Sequence, residues 1–360
     1  MTHRIILLSD GTGNAASKVW RTNVWRIYEF LDLSRDDQVA KYDDGVGSSS
    51  FKPLALLGGA FGWGLKRNVI DLYKFASRNY RAPTPGDPGS GSHIYGFGFS
   101  RGAYTIRILV GLILDQGLIP YQSEANLNAR AHDAYRAFRA KGFHSVSRVE
   151  WLFRKLRDGY FWFVNSITGR APYNEADNIA VPAIEFVGIW DTVAAYGLPI
   201  DEMTRGFSQW IWPLELPERV LNSKVKRACH ALALDDERTT FHPVLWTEAG
   251  ENRPAPDSNG TVWLKNERIS QVWFSGAHSN VGGGYPDDAL AYFPLLWVME
   301  EARARGLVFK TPPADPDAFR RVQSSRDADG RQYDSSRGLL SLWAAQDRRS
   351  LPSDLFASGG

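Results

Sequence analysis

Short apolar runs, each stopped by small or acidic residues and followed by a helical pattern, restrict this chain more than any other feature. Arg4-Ile-Ile-Leu-Leu-Ser-Asp10 runs into Gly11-Thr-Gly13-Asn14, and residues 19–33 then place Val24, Ile27, Tyr28 and Leu31 at helical spacing. Residues 38–42 form a second short strand, ended by the glycine-marked loop 43–47. An amphipathic helix is predicted over 69–80, a Pro- and Gly-rich loop over 81–92, a strand over 93–97 and a buried helix over 101–114. Two later strands, 183–190 and 268–274, end in Asp191 and in Ser275-Gly-Ala-His278, and a capped helix follows over 287–305. Strands that are apolar throughout, rather than alternating, are buried on both faces. Strands alternating with helices predict a mostly parallel sheet with helices on both faces.

Two stretches break the alternation, 121–180 and 201–221. They read as cap insertions in one domain spanning 1–360, placed where α/β enzymes accept additions over the active-site face. Residues 350–360 read as a loose tail. Cys229 is the single cysteine, which removes internal disulfides and Cys-rich zinc sites. Lys plus Arg is 42 against 40 Asp plus Glu, so charge gives no argument for nucleic acid. No apolar run reaches the length of a membrane span, and the N-terminus enters a strand without a signal-peptide pattern. The expectation is a protein that is cytoplasmic as synthesised, with any export by a route that needs no signal peptide.

Gly98-Phe-Ser100-Arg-Gly102 fits G-x-S-x-G. The pentapeptide alone is common. Here a strand precedes it and a buried helix follows, the setting of a nucleophile elbow. The glycines make room for a sharp turn, which presents Ser100 at a helix N-terminus, where developing negative charge is favoured. The bland alternative is a glycine-rich turn with an incidental serine.

A serine nucleophile needs a base. Of the seven histidines, His3 and His93 precede the serine, and His132 and His144 fall in the 121–180 insertion. His278 follows a strand and opens a glycine-rich loop, as expected of the base. His230 looks helical and reads as a packed or capping histidine, and His242 is the seventh. Asp191 closes a strand between serine and histidine, so it is the candidate orienting acid, with a helix cap as its plain alternative. Asp235, Asp236 and Asp287 are its rivals. The oxyanion donors expected are the amide of Arg101 and an amide of Gly11 or Thr12. Asp10 is expected to pin that loop rather than react.

Other classes leave traces. Gly11-Thr-Gly13-Asn-Ala-Ala16 fits the dinucleotide fingerprint, with Asp43 where a ribose-binding acid belongs. Asp10 would then face the pyrophosphate, and Ser100, Asp191 and His278 would have no purpose. Ser9-Asp-Gly-Thr12 suggests a haloacid-type phosphatase but lacks the second Asp two residues on. An inactive hydrolase fold serving as an interaction module is a third alternative. The acid pairs Asp43–Asp44 and Asp287–Asp288 read as loops or caps rather than metal ligands.

The segments LLSDGTGN, YDDGVG, GFGFSRGAYTIR, VGIWDTVAAYG, ALALDDER and WFSGAHSNVGGGY occur in that order over residues 4–300. In this combination the chain resembles the uncharacterised α/β-hydrolase domain family that includes the type VI secretion lipase effectors of the first class, which are phospholipases. The resemblance implies an α/β-hydrolase fold, a Ser100–Asp191–His278 triad and carboxylic-ester hydrolysis without a cofactor or metal. It makes a lipid-like or small ester the expected substrate, with transient membrane-surface contact. Aromatics at 151–163 and 207–212, with Arg154, Lys155, Arg157 and Arg205, are suited to acyl chains and an anionic head group.

Overall fold

A computed structural model of the protein describes residues 2–11, 20–45, 59–87, 90–142, 172–193, 220–236, 243–251, 267–310 and 326–332. The strands are β1 (Arg4–Ser9), β2 (Gln38–Asp43), β3 (His93–Phe99), β4 (Phe186–Trp190), β5 (Ala228–Ala233) and β6 (Ile269–Phe274). They form one sheet in the order β2-β1-β3-β4-β5-β6, and every pairing is parallel. The helices are α1 (Asn23–Phe30), α2 (Gly59–Asn79), α3 (Arg101–Gln116), α4 (Glu124–Gly142), α5 (His278–Gly282) and α6 (Tyr292–Ala304). This is the parallel, doubly covered sheet expected from the alternation, and it agrees with the α/β-hydrolase fold that the resemblance implies.

The two-residue period of a strand sorts each apolar run between two cores. Ile5 and Leu7 pack with α2, α3 and α4, whereas Ile6 and Leu8 pack with α1 and α6. All four side chains are inaccessible or nearly so, and each contributes about 1.5–3 kcal/mol of burial. In β3 the division is uneven. Tyr95, Phe97 and Phe99 fill the α1–α6 side, while Gly96 and Gly98 face α3. A Cβ on Gly98 would lie 2.6 Å from the Ala103 Cα, so the glycines let α3 sit directly on the strand.

β5 corrects the sequence reading, in which the region of His230 looked helical. Ala-rich ACHALA favours a helix locally, but both of its neighbours are strands and it is buried along its whole length. Tertiary pairing overrides the local preference. Helix α2 begins earlier than predicted, at Gly59, and β3 extends two residues further, to Phe99. Within 121–180, the described parts are α4 and a single 3-10 turn at Glu175–Asp177. Most of that stretch, nearly all of 201–221 and the whole of 350–360 lie outside the described residues. No helix among the described residues is long and apolar enough to cross a membrane.

Chain order defines where a site can form. The chain steps from β1 outward to β2, then back across β1 to β3. In open parallel sheets the point where the strand order reverses is where a site forms, at the C-terminal ends of the strands. Gly11 follows β1 and Ser100 follows β3 at that point.

Candidate active site

Three strand ends supply the central residues. Ser100 leaves β3 with φ 58° and ψ −123°, outside the ordinary regions for a residue with a side chain. Its amide donates to the Trp190 carbonyl at 3.0 Å. Two residues on, a Cβ on Gly102 would lie 2.0 Å from the Ser9 carbonyl oxygen, so β1 and the start of α3 touch backbone to backbone. Glycine at 98 and 102 is what this turn requires.

Asp191 leaves β4 with φ 34° and is fully buried. Its amide donates to the Ala231 carbonyl at 2.7 Å. Its Oδ1 accepts the Ala233 amide at 3.1 Å, and its Oδ2 lies 2.6 Å from His278 Nδ1.

His278 follows β6 at the start of α5. Its Nε2 lies 2.8 Å from Ser100 Oγ. The ring rests against Phe99, with centroids 4.6 Å apart, and Phe99 itself closes on Gly282, where any side chain would collide with it. The two rival acids hold the backbone of this loop. Asp235 accepts the Gly276 amide at 2.6 Å, and fully buried Asp236 accepts the His278 amide at 3.2 Å. Asn280 Oδ1 accepts the Ala277 amide. Helix α1 grips the far side. Asn23 donates to the carbonyls of Val281 and Ala291, and Arg26 pairs with Asp288 at 2.6 Å.

The structure thus brings Ser100, His278 and Asp191 into one hydrogen-bonded line. Asp287 is not in it; its carboxylate caps the Ala289 amide. His3 and His93 sit at the opposite ends of the strands, with His3 on Ser92 and His93 beside Glu185. His132 lies in α4, and His144 and His242 lie outside the described residues. Phe99 as a rest for the imidazole, and Asp236 as an anchor for its loop, were not foreseen. The DD pair in ALALDDER and the aromatic preceding the serine were the available signals.

Of the three proposed oxyanion donors, the Arg101 amide stands at the first turn of α3. Burial pulls the Arg101 guanidinium down to about 10. The Gly11 amide donates to Asp10 Oδ1 at 2.6 Å. Thr12 lies outside the described residues. Asp10 accepts two further bonds, from Thr22 Oγ1 at 2.5 Å and Tyr42 at 2.6 Å, and so pins the end of β1 as expected. Burial raises the Asp43 carboxyl to about 6, against bonds from Ser9 and the Gly45 amide.

Ligand atoms of Asp191, Asp236 and His278 lie within 4.8 Å of one another. The His278 Nδ1 is engaged by Asp191, so a cation there would displace that bond. Asp288, from the other candidate pair, is engaged by Arg26.

A parallel sheet of this order, with a serine elbow after β3, defines an α/β-hydrolase-fold protein. Residues 3–301 match the family described as the catalytic domain of the Tle1-like phospholipase effectors of type VI secretion, and the chain belongs to that family. It is 23% identical over 318 residues to an uncharacterized protein of Saccharomyces cerevisiae, covering 76% of this chain and 40% of the relative. Among solved structures, an uncharacterized protein from Pseudomonas aeruginosa aligns at 19% identity and TM-score 0.47, covering 86% of this chain and 47% of the other. The Tle1 effector bound to the VgrG spike aligns at 17% identity and TM-score 0.42, over 80% and 52% of the two chains. The chain therefore spans about half the length, or less, of these relatives.

Proposed function

We propose that this protein is a serine hydrolase that cleaves carboxylic esters of lipids, with phospholipid preferred to neutral glyceride. The observation that carries the reading is the continuous line Ser100 Oγ, His278 Nε2, His278 Nδ1, Asp191 Oδ2, drawn from three strand ends at 2.8 and 2.6 Å. His278 accepts the Ser100 proton as Oγ attacks the ester carbonyl, and Asp191 holds the ring with Nδ1–H toward itself. The tetrahedral oxyanion is met by the Arg101 amide and by a donor from the turn after β1. The Gly11 amide is engaged by Asp10, so Thr12 is the proposed donor of that turn. The protonated His278 gives its proton to the departing alkoxide, leaving an acyl-serine. Water, deprotonated by the same ring, then releases the fatty acid and restores Ser100.

The family description supports the lipid substrate. The segments 121–180 and 201–221 are proposed as caps over the site that offer aromatics to acyl chains and Arg or Lys to head groups, with transient contact at a membrane surface. No cofactor is required by this chemistry.

The test has two stages. A fluorophosphonate probe should label Ser100 in the wild-type protein and nothing in Ser100→Ala. Liposomes of phosphatidylglycerol or phosphatidylethanolamine should then yield free fatty acid with the wild type and none with Ser100→Ala. Absence of a Ser100 adduct, with ester hydrolysis intact in Ser100→Ala, would sink the serine reading. Activity confined to short soluble esters would leave a carboxylesterase and remove the lipid.

A further inference from the structure

The turn that carries Asp191 rests on a histidine outside the line. His230 lies in β5, fully buried, directly across from Ile189 of β4 and Gln271 of β6. Its Nε2 is 3.2 Å from the Thr192 amide and 3.1 Å from the Thr192 hydroxyl. Its Nδ1 is 3.4 Å from Gln271 Oε1. Thr192 directly follows Asp191, the residue with φ 34°.

The direction of every bond follows from chemistry. A backbone N–H only donates, so Nε2 must present its lone pair to Thr192, and the ring's proton must be on Nδ1. The other side demands the same. The Trp246 amide donates to Gln271 Oε1 at 2.8 Å, and Gln271 Nε2 donates to the Trp246 carbonyl at 3.0 Å and to Glu248 at 2.7 Å. Gln271 is thereby oriented with its oxygen toward His230, where it can only accept. Two independent constraints choose one neutral tautomer. Burial, with Arg107 adding to it, lowers the His230 pKa to about 3, so the ring stays neutral at working pH. Trp246 packs edge-on against the ring, and Arg107 lies over Trp246.

We infer that His230 is a positioning residue, which holds the Asp191–Thr192 turn by accepting the Thr192 amide in the tautomer set by Gln271. The inference rests on the reading of Asp191 as the group that orients His278. Without that acceptor, the Thr192 amide is left buried and unsatisfied, and the left-handed conformation at Asp191 loses one of the two bonds that hold the Thr192 backbone, the other being the Val244 amide on the Thr192 carbonyl at 2.9 Å. The Asp191 carboxylate then turns away from His278 Nδ1. His230 touches no reacting atom. Its contribution appears in the chemical step and not in substrate binding.

The experiment measures p-nitrophenyl butyrate hydrolysis per active site, with sites counted by fluorophosphonate titration so that misfolded protein is left out. His230→Phe keeps the volume and removes the acceptor. It should lower kcat per titrated site about 10- to 100-fold with KM nearly unchanged, as expected for a displaced catalytic group. It should also change the acid limb of the kcat/KM profile, because His278 would then stand beside a displaced carboxylate. His230→Gln places a carbonyl oxygen the same number of bonds from Cα as Nε2, and should recover most of the loss. Unchanged kcat per titrated site and an unchanged pH profile in His230→Phe would overturn the inference. Should His230→Phe be insoluble, nitrogen-15 histidine spectra of the wild-type protein decide, the His230 ring being assigned by its disappearance in His230→Gln. The Nδ1–H tautomer is expected, and an Nε2–H ring overturns the proposal. Failure of the probe to label Ser100 in the wild type would instead strike the proposed hydrolase mechanism.

Discussion

The turn after β3 and the turn after β4 solve one problem in two ways. Each holds a non-glycine residue at positive φ, Ser100 at 58° and Asp191 at 34°, and among the described residues these are the two that do so. Such conformations persist only where the surroundings over-determine them. At Ser100 the determination is by absence. Gly98 and Gly102 let backbone lie on backbone, and the Ser100 hydroxyl caps no amide of α3. At Asp191 the determination is by presence, through Ala231, Ala233, His278 and the His230–Thr192 contact. A turn whose shape rests on missing side chains is insensitive to protonation. A turn built from side-chain bonds is assembled from distant residues and inherits their titration.

The strongest test of this contrast is chemical. Ser100→Ala should lower kcat by about 10⁴–10⁶ while the fold survives, since the turn relies on its glycines and not on the hydroxyl. Circular dichroism and probe labelling check the two halves. Asp191→Asn should leave the geometry nearly intact yet reduce kcat by about 10⁴, because an amide facing Nδ1 favours the wrong tautomer. Near-normal turnover in that variant would mean that the second turn serves stability alone.

Gly102→Ala attacks the first turn directly. A Cβ 2.0 Å from the Ser9 oxygen forces β1 and α3 apart, at a loss of roughly 3 kcal/mol. Chemical denaturation should show this loss equally at pH 5 and pH 7, since no titrating group is involved.

The second turn should be acid-sensitive. His230 has a folded-state pKa of about 3, against roughly 6.5 in an unfolded chain. Between those values the unfolded chain binds a proton that the folded one refuses. The stability is therefore complete above the unfolded value and declines as pH falls toward 3. By pH 5 the loss from this group is about 2 kcal/mol. His230→Gln should flatten that slope in urea titrations at the two pH values; an unaltered slope would remove the titration from this turn.

Asp43 ends β2 much as Asp191 ends β4, but without a histidine, and its sign is opposite. Burial raises its carboxyl to about 6, so its contribution is complete below the unfolded value near 3.9 and lost as pH rises through 6. Asp43→Asn should stabilise the protein by about 3 kcal/mol at pH 8 and not at pH 4. Thermal melts at both values provide the check.

The same contrast explains what could be read from the sequence. The β3 turn is spelled in five consecutive residues, and β1 and β3 are apolar throughout, so the elbow and the centre of the sheet were legible. Asp191 and His278 were legible as residues closing strands. β5 was not, because ACHALA carries helix-forming alanines and becomes a strand only between β4 and β6. With β5 misread, the setting of His230 was lost, and so was the use of Asp235 and Asp236 as anchors of the histidine loop. Those assignments depend on contacts between residues about 40 apart, for which a single sequence holds no local signal.

The order of the sheet has a consequence in time. Ser100, Asp191 and His278 leave three different strands, and β5 must be in place between β4 and β6 before the last two can meet. A parallel sheet closes such contacts late, since each requires a long crossover. On the proposed chemistry, a growing chain or a partly folded intermediate is therefore inert toward esters. By that chemistry hydrolysis begins only once the sixth strand has docked, which makes turnover a report on the completed fold.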